Sequence, residues 1–585
     1  MKKLIFTFFL CLLAAVQSAW GYDFSYTYAG QTLWYEVLSS TDKTAGVAGH
    51  PSSISGAVEI PATVTYGGVT YSVTSIGNSA FFGCSGLTEI DVSASNTYYQ
   101  SIDGILYNKA GDTLICCPMG KKGSVTIPNS VTSIGVRAFE GDSSLTGVTI
   151  GNSVKSIGDD AFYGCSGLTS VKIPDSVTSI GASAFYGCRS LVSVNIPNSV
   201  TRLGYKSFSY SDLKEIIISS KVTVFDGSFS DCDSLTNVTI QDGVTFISDD
   251  AFSGCDNLTN VIIPNTVIGI GWRSFKDCNK LKRIGIPHSV ISIGRESFAS
   301  CISLDSVIIP NSVVSIDEGA FSGCKGLTKI QISDSITTIA DSIFCGCTKL
   351  NSVNISDGVY SIGRIAFENC TSLAGVNIPK SVITIGYGAF YGCSELAKMV
   401  FPNNVTDIGS WAFENCTALT DISIPDFIDE HLLRGVFQGC SGLTSVMIPS
   451  VCEILLDSVF YGCSALTKVM VKSVLPPSAE MNCFSVYDTL YVPMQSVSAY
   501  EATSPWSEFR VIIGVDFSGV PTIHTDASLY VSGMELRNER NDAVTIYGVT
   551  GHLMLNSSNS IIDLESLPHG VYMAVTSHGT LKFVR

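Results

Sequence analysis

The sequence predicts an α/β-type repeat solenoid of about 17 coils, each of 23 residues, followed by a small C-terminal β-sandwich. The first observation behind this is a phenylalanine that recurs at a constant interval. The repeat phenylalanines are Phe81, Phe139, Phe162, Phe185, Phe208, Phe229, Phe252, Phe275, Phe298, Phe321, Phe344, Phe367, Phe390, Phe413, Phe437, Phe460 and Phe484. After Phe139 nearly every step is 23 residues, with one of 21 and two of 24. The second observation is the length of 585 residues, because single hydrophobic cores stop growing near ~250–300 residues.

The repeat unit itself predicts how each coil is built. One copy reads Phe162-Tyr163-Gly164-Cys165, Leu168-x-x-Val171-x-Ile173-Pro174, Ser176-Val177-x-x-Ile180-Gly181 and Ala184-Phe185. Leu168, Val171 and Ile173 have strand spacing, so the equivalent residues of successive coils are expected to stack into a long parallel sheet. Ile180 and Phe185 then close the interior from the opposite wall, which we expect to be irregular or to contain short helices. Parallel strands joined by short turns fit a leucine-rich-repeat arc.

The first residues indicate export. Lys2 and Lys3 precede a 13-residue apolar run, Leu4–Val16, and small residues follow it. A positively charged N-terminal region, an apolar central region and small residues at the cleavage site are typical of a signal peptide. We assign this signal peptide to residues 1–21. The run is too short to span a bilayer comfortably, so no transmembrane anchor is expected.

The remaining boundaries follow from where the repeat is present. Residues 22–55 lack it and alternate apolar with polar residues, which predicts an N-terminal β cap. The solenoid is expected over 56–473, with an inserted hairpin coil at about 92–127, because Phe139 follows Phe81 by 58 residues. An aromatic-rich cap over 474–515, a linker over 516–524 and a β-sandwich over 525–585 complete the chain.

Two stretches resemble known families. The pattern Leu-x-x-Val-x-Ile-Pro-x-Ser-Val-x-x-Ile-Gly-x-x-Ala-Phe-x-x-Cys resembles the BspA-like leucine-rich repeats of bacterial surface proteins, over about 430 residues. That resemblance implies attachment to host matrix proteins, epithelial cells or other bacteria. Val544-x-Ile546-Tyr547-x-x-x-Gly551 and Leu567-Pro568-x-Gly570-Val571-Tyr572 resemble the C-terminal sorting domain of type IX secretion substrates. This second resemblance implies recognition by that secretion machinery and delivery to the outer cell surface or the medium.

The cysteines follow the repeat rather than a disulfide pattern. Fourteen of the 20 lie three residues after a repeat phenylalanine: Cys84, Cys165, Cys188, Cys232, Cys255, Cys278, Cys301, Cys324, Cys347, Cys370, Cys393, Cys416, Cys440 and Cys463. Stacked in register, their Cβ atoms would be about 4.8 Å apart, wider than the ~3.8 Å that a disulfide prefers. We therefore predict a buried structural ladder of free thiols.

Composition and motifs argue against several function classes. The net charge of −17 disfavours nucleic acid and anionic lipid as partners. The sequence contains no metalloprotease helix, nucleophile elbow or phosphate-binding glycine loop, so we expect no enzyme and no cofactor. Acidic pairs such as Asp159-Asp160, Asp249-Asp250 and Asp317-Glu318 share one repeat position. We interpret them as solvated turn charges, with a weak Ca²⁺ site as the alternative.

Binding residues are expected where the coils differ from one another on the sheet face. The candidates flank the repeat valine: Lys172, Asn195, Thr239, Arg283, Lys329, Gln331, Asn354 and Asn377. This polar face suits contact with a protein or a glycan, and it equally suits a face that is only soluble.

A second candidate set is aromatic. Tyr205, Trp272 and Tyr387 lie three residues before a repeat phenylalanine, and Trp411 lies one place later. Exposed aromatic residues serve as binding anchors and stack on sugars. The sequence therefore favours an exported leucine-rich-repeat protein that mediates adhesion to an extracellular protein. Glycan capture for nutrient uptake is the alternative and requires aromatic residues clustered in neighbouring coils; a structural surface role is a further alternative.

Overall fold

The computed structural model describes residues 21–51, 54–428, 431–480 and 482–517, and, in the C-terminal part, 529–532, 535–538, 543–548, 553–564, 567, 571–575 and 580–584. The expected signal peptide, apart from Gly21, and most of the expected linker lie outside these residues. The chain divides into two compact units. The first extends to Val446 and includes Val451–Thr467 and Ser478–Val486, and the second comprises Met447–Ser450, Lys468–Pro477 and the residues from Tyr487 onward.

The first unit begins with six strands: β1 (Phe24–Tyr28), β2 (Gln31–Ser39), β3 (Thr44–Gly49), β4 (Ser55–Ile60), β5 (Thr63–Tyr66) and β6 (Val69–Ile76). Five of them form one sheet in the order β1-β2-β3-β6-β5. Its inward side chains, among them Leu33, Tyr35 and Val73, share one buried cluster with the first repeat residues. The sheet therefore continues beyond residue 55, where the sequence had placed the end of the cap, because β3 and β6 pair in parallel.

The inserted segment is a small antiparallel meander. After β7 (Gly86–Val92), which pairs in parallel with β4, the chain forms β8 (Tyr99–Ile102), β9 (Ile105–Asn108) and β10 (Thr113–Cys116). Strand β9 pairs antiparallel with both β8 and β10. Strand β10 then pairs in parallel with the first coil that follows it, so the insertion joins the solenoid through regular sheet hydrogen bonds.

Most later coils contribute a long strand that carries the repeat valine or its equivalent, whereas the coils around Ile284, Val376 and Met399 form only isolated bridges there. The long strands up to residue 448 are Gly123–Thr126, Leu145–Thr149, Ser170–Lys172, Ser193–Asn195, Glu215–Ile218, Asn237–Ile240, Asn260–Ile262, Ser306–Ile308, Lys329–Gln331, Ser352–Asn354, Asp421–Ser423 and Ser445–Ile448. Neighbouring strands are parallel and in register, with Val148 opposite Val171 and Val171 opposite Val194. The repeat valine points inward and its two neighbours point outward, as period-two geometry requires.

The opposite wall carries a second, narrower series of parallel strands. These short strands are Ser133–Ile134, Ser156–Ile157, Ser179–Ile180, Arg202–Leu203, Phe246–Ile247, Gly269–Ile270, Ser292–Ile293, Ser315–Ile316, Thr338–Ile339, Ser361–Ile362, Thr384–Ile385, Asp407–Ile408, His431–Leu432, Ile454–Leu455 and Ser478–Ala479. The predicted parallel-sheet solenoid of about 17 coils is confirmed. The wall expected to be irregular or short-helical contains no helix in the described coils; it is made of turns and these short strands.

The repeat phenylalanines form a continuous stack inside the solenoid. From Phe139 to Phe484 each ring lies on the next, with centroid distances from 4.7 to 6.0 Å. Leucine, valine and isoleucine at the conserved apolar positions of the unit are almost fully buried around this stack. Burial of this much apolar surface is the main force that favours the folded chain.

The turn before each repeat phenylalanine has a left-handed backbone. The residue two places before the phenylalanine has a positive φ, between 46° and 64°, in fifteen consecutive coils. These residues, hereafter the left-handed row, are Arg137, Asp160, Ser183, Lys206, Gly227, Asp250, Arg273, Glu296, Gly319, Ser342, Ile365, Gly388, Trp411, Gly435 and Ser458. Backbone N–H groups of this turn donate to the next coil, as Asp160 does to Ala182 (2.8 Å). The left-handed row is therefore a requirement of coil stacking rather than of local sequence.

The second unit contains a parallel sheet of Lys468–Val471, Thr489–Pro493 and Val511–Val515. Between the last two strands lie a 3₁₀ turn at Met494–Ser496, the helix α1 (Val497–Glu501) and a 3₁₀ turn at Trp506–Glu508. Tyr500 and Trp506 are fully buried. The Trp506 indole N–H donates to the Pro477 carbonyl (2.8 Å) and the Tyr500 hydroxyl to the Ser473 carbonyl (2.9 Å).

The C-terminal part forms two antiparallel sheets. One contains Leu529–Ser532, Glu535–Asn538 and Ile561–Asp563, and the other contains Leu553–Ser557, Val544–Gly548, Val571–Val575 and Thr580–Val584. Leu536 and Ile562 of the first sheet share a buried cluster with Val544, Ile546 and Ala574 of the second. Among the described residues, no helix has both the length and the apolar character needed to cross a membrane.

Candidate binding surfaces

The outward face of the long-strand sheet carries two parallel rows of side chains. The first row precedes the repeat valine and the second row follows it, as Ser170 and Lys172 flank Val171. Sheet pairing keeps each row in register, for example Lys172 opposite Asn195 and Gln331 opposite Asn354. A ligand that lies along the sheet would therefore meet residues from many coils in a straight line.

The polar candidates lie on this face, in both rows. Arg283 and Lys329 belong to the first row. The second row contains Lys172, Asn195, Thr239, Gln331, Asn354 and Asn377. All are exposed except Thr239, which is half-buried. The structure thus places them on one surface, but it distributes them along the array and does not gather them at one point.

Three isoleucines of the second row are exposed residues that were not among the binding candidates expected from the sequence. Ile217, Ile262 and Ile308 point outward and are 54, 52 and 68% exposed. The residues between them are small and uncharged, Thr239 and Gly285, so exposed isoleucines stand in alternate coils of a run of five, hereafter the central apolar row. Pairing places Ile217 beside Thr239 and Thr239 beside Ile262. The signal was available, because the position after the repeat valine is polar in most other coils.

The first row borders this strip with polar and charged groups. Its members beside the central apolar row are Glu215, Asn237, Asn260, Arg283 and Ser306. The Arg283 guanidinium lies 3.7 Å from the Asp305 carboxylate and both side chains are exposed. An apolar strip with a polar edge is the arrangement found in protein–protein interfaces, whose centres are depleted in charge.

The cysteine ladder is a buried set of thiol donors. The structure contains Cys165, Cys188, Cys232, Cys255, Cys278, Cys301, Cys324, Cys347, Cys370, Cys393, Cys416, Cys440 and Cys463 as free, buried residues. Each of these thiols donates to the carbonyl of the repeat phenylalanine one coil earlier, at 3.0 to 3.3 Å. In two coils the position holds Asp142 or Ser211, which are likewise buried.

Burial also makes several of these thiols unreactive. Desolvation raises the pKa of Cys188 and of Cys393 to about 12, and that of Cys232 to about 11. The thiolate, which is the nucleophile and the metal ligand, is then scarce at neutral pH. These residues are suited to holding coils together and not to redox or metal chemistry.

The aromatic candidates are divided by the structure into isolated residues and one pair. The Tyr205 and Trp272 side chains are both 55% exposed, and they lie several coils apart. Tyr387 and Trp411 belong to neighbouring coils and are in contact, with centroids 5.1 Å apart and ring planes at 69°. Together with Ile365, Glu368, Gly388, Tyr391 and Glu414 they line a cavity of about 390 Å³.

The acidic pairs have structural partners. Asp159 and Asp249 accept hydrogen bonds from backbone N–H groups of the next coil, at Ala182 and Trp272 (both 2.7 Å). Asp160 pairs with Arg137. In the described part of the chain, no group of three His, Cys, Asp or Glu residues could hold a metal ion. These aspartates act as inter-coil caps.

Comparison with known protein families gives one match. A profile described as "BspA type Leucine rich repeat region" matches the chain over residues 64–103, 119–228, 224–351 and 337–467. These ranges cover more than half of the chain and coincide with the coils described above. No curated protein matches the chain.

Several solved structures are similar to the chain. A leucine-rich repeat protein from Bacteroides ovatus is 26% identical, with 76% of this chain and 95% of that chain covered and a TM-score of 0.46. A leucine-rich repeat protein from Eubacterium ventriosum is 22% identical, with 55% and 93% covered and a TM-score of 0.37. A leucine rich cell surface protein from Faecalibacterium prausnitzii is 24% identical, with 77% and 94% covered and a TM-score of 0.29.

Proposed function

We propose a binding function from one premise: the chain belongs to the BspA type leucine-rich repeat family. The protein is an exported surface or secreted protein that adheres to an extracellular protein, of a host or of another bacterium. The site of contact is the outward face of the long-strand sheet, centred on the central apolar row. Family membership supports a repeat scaffold for binding, and the residues below support the location.

The observation that carries this proposal is the exposure of Ile217, Ile262 and Ile308 in register. Isolated exposed apolar residues are ordinary on protein surfaces, whereas contiguous ones that face water lower stability and solubility. An in-register strip across five coils is therefore best explained by a partner that covers it. Its polar edge, with Glu215 and Arg283, supplies groups that orient such a partner.

Export is supported by the two ends of the sequence. The signal-peptide pattern of residues 1–21 directs the chain out of the cytoplasm, and the terminal module resembles a type IX sorting domain. In this proposal the secretion machinery recognises residues 525–585 and delivers the solenoid to the outer surface or the medium.

The test is a binding screen of the full mature chain against immobilised matrix proteins and, side by side, a glycan array. Saturable binding to a protein supports adhesion. The triple substitution Ile217→Lys, Ile262→Lys and Ile308→Lys should then weaken binding by at least about tenfold, because buried apolar anchors dominate interface energies.

A matched control adds the same charge elsewhere on the same row. Asn195→Lys, Asn354→Lys and Asn377→Lys introduce three lysines on the sheet face without removing an apolar side chain. This variant should bind more strongly than the triple isoleucine variant, because it leaves the central apolar row intact. Loss of binding only in the control variant would overturn the location and move the site to the polar coils.

A second candidate function is glycan capture, which one observation favours. The requirement for aromatic residues in neighbouring coils is met by Tyr387 and Trp411. Their rings form a corner rather than the flat platform on which a sugar ring stacks. Binding confined to the glycan array would favour this second function over adhesion to protein.

A further inference from the structure

The cavity at Tyr387 and Trp411 exists because one coil lacks a side chain. In the left-handed row the successive residues are Ile365, Gly388, Trp411 and Gly435. Ile365 and Trp411 form two walls and Gly388 leaves the space between them open. A volume of about 390 Å³ lies at the lower end of the range for ligand pockets. It suits a single side chain or a small molecule.

The walls of this cavity occupy strained backbone positions. Ile365 has φ 46° and Trp411 has φ 57°. A β-branched or bulky residue at positive φ is an outlier, and such strain clusters at binding sites. Four other coils of the left-handed row, including those of Gly227 and Gly319, use glycine, which adopts this conformation freely. Ile365 and Trp411 are the two large apolar residues of the left-handed row, whose other members are glycine, serine or charged residues.

The indole of Trp411 is accommodated by the next coil. A Cβ atom on Gly435 would lie 2.5 Å from Trp411 Cδ1, so only glycine leaves room for the ring there. With Trp411 so placed, its ring stands nearly perpendicular to that of Tyr387, and Tyr391 also lines the cavity. Rings set at an angle around one point form the geometry that surrounds a cation with π faces.

Two carboxylates complete the cavity, and neither has a cationic partner. Glu414 accepts from the Gln438 amide (3.1 Å), and Glu368 accepts from the Cys345 thiol (3.5 Å). No ion pair in the described part of the chain involves either residue. Elsewhere, charges at the same repeat position are paired: Glu140 lies near Arg137 and Lys276 bonds Glu296.

One cation of the chain already contacts this aromatic pair. The Arg364 guanidinium lies over the Tyr387 ring, 5.3 Å from its centroid. The charged groups around the cavity are therefore Arg364, Glu368 and Glu414, with a net charge of −1 when both carboxyls are ionised. This balance favours a further positive charge over a neutral or anionic ligand.

We propose that the cavity between Ile365 and Trp411 binds an ammonium group, of the kind presented by a lysine side chain or a small quaternary amine. The rings of Tyr387, Tyr391 and Trp411 and the carboxylates of Glu368 and Glu414 line this cavity. This site lies apart from the central apolar row, and its test does not depend on the outcome of the adhesion screen.

The probe is Nα-acetyl-lysine methylamide, measured on the full mature chain by saturation-transfer NMR and titration calorimetry. We expect a dissociation constant on the order of 1 mM at low salt, because the probe presents only one charged side chain to the cavity. Tetramethylammonium should compete, whereas the Nε-acetylated, neutral form of the probe should not. Direct binding of tetramethylammonium without binding of the lysine probe would identify a quaternary amine as the source of the ammonium group.

The variants separate this site from a nonspecific surface effect. Gly388→Arg fills the cavity with a side chain that the left-handed row accepts at Arg137 and Arg273, and it should abolish binding. Gly319→Arg makes the same change in a coil away from the cavity and should leave binding unchanged. Glu368→Gln together with Glu414→Gln, which keeps shape and removes charge, should weaken binding by at least about tenfold.

Four outcomes would overturn the proposal. The first three are equal binding of the neutral probe, equal loss in Gly319→Arg, and binding of neutral monosaccharides with none of the ammonium probes. The fourth is the absence of binding by every ammonium probe at concentrations up to about tenfold above the expected dissociation constant.

Discussion

At the scale of single residues, the cysteines show how a weak interaction becomes useful by repetition. Each ladder thiol makes one hydrogen bond, to the phenylalanine carbonyl of the coil before it, as Cys278 does to Phe252 (3.3 Å). A thiol is a weak donor, but it is small and tolerates burial. Repeated in thirteen coils, it links each of these coils to the one before it by a side-chain hydrogen bond.

The first prediction concerns the number and reactivity of these thiols. Denatured, unreduced protein should give at least fourteen free thiols in a colorimetric count. The folded protein should react slowly with the same reagent, because burial keeps the thiols protonated. A count near zero in denaturant would contradict the ladder and indicate disulfides.

The second prediction is a loss of stability at alkaline pH. Folding raises the pKa of Cys188 from 9.0 to about 12, so this contribution to stability is fully present below pH 9 and declines above it. The unfolded chain, whose thiols ionise near pH 9, is stabilised as the pH rises, by up to about 1.4 kcal/mol per pH unit for each such thiol. Denaturation at pH 8, 9 and 10 measures this. Replacing Cys188, Cys232 and Cys393 by serine should reduce the slope.

The third prediction uses the one coil in which serine already occupies the ladder. Ser211 is buried, and its hydroxyl donates to the carbonyl of Phe208 in its own coil (2.6 Å) rather than to the phenylalanine of the coil before. A serine at this position therefore finds a hydrogen-bond acceptor inside the core, although not the one that the thiols use. Cys278→Ser should therefore change the free energy of unfolding by less than about 1 kcal/mol, whereas Cys278→Leu should cost about 1–3 kcal/mol by overpacking. Thermal melts of the two variants compare these costs. Equal destabilisation would show that the hydroxyl cannot replace the thiol donor here.

At the scale of elements, the coil is the unit of folding. Most coils contribute one long strand, one short strand and one phenylalanine, and each of these pairs or stacks with its counterparts in the adjacent coils. The Phe275 ring lies 5.5 Å from Phe252 and 5.4 Å from Phe298. In such arrays stability is approximately a sum over coils and their interfaces.

The fourth prediction tests that unit directly by excision. Removal of residues 276–298 joins Phe275 to Ala299 and keeps the repeat in register, so Cys301 takes the place of Cys278. The shortened chain should fold with an unchanged β-type circular dichroism spectrum per residue and a slightly lower midpoint. Removal of residues 276–287, about half a coil, should disrupt the neighbouring coils because inward residues would then face water. Equal tolerance of both deletions would argue against strict register.

At the scale of the whole molecule, the candidate binding surfaces and the proposed sorting module lie in different parts of the chain. The solenoid carries the central apolar row and the Tyr387–Trp411 cavity, and the terminal residues form a separate pair of antiparallel sheets with their own core. A separate core is what a module with its own task requires.

The fifth prediction concerns that terminal module. Deletion of residues 525–585 should leave the solenoid folded and should trap the protein in the periplasm, as measured by fractionation and surface protease accessibility. The control is a chain that lacks only one solenoid coil, residues 276–298, and it should still reach the surface. Unchanged surface levels after deletion of 525–585 would contradict a sorting role.

The sequence by itself determined the periodic features of this protein. Constant spacing of Phe162, Phe185 and their equivalents required each coil to return to the same place, and this predicted the parallel sheet, the number of coils and the stacked interior. It also predicted the burial of the cysteines, because a residue repeated in register with a buried phenylalanine shares its environment. Periodicity is informative because many independent copies agree.

Only the tertiary structure decided the features that differ between coils. The repeat register already marked the position of Ile217, Ile262 and Ile308 as outward, but only the structure gave how much of each side chain faces water. It did not predict the left-handed row, because inter-coil hydrogen bonds impose that conformation on residues as different as Arg273 and Trp411. The cavity at Gly388 likewise arises from an absent side chain between two bulky neighbours. Contacts between coils are set by packing in three dimensions, which no single copy of the repeat encodes.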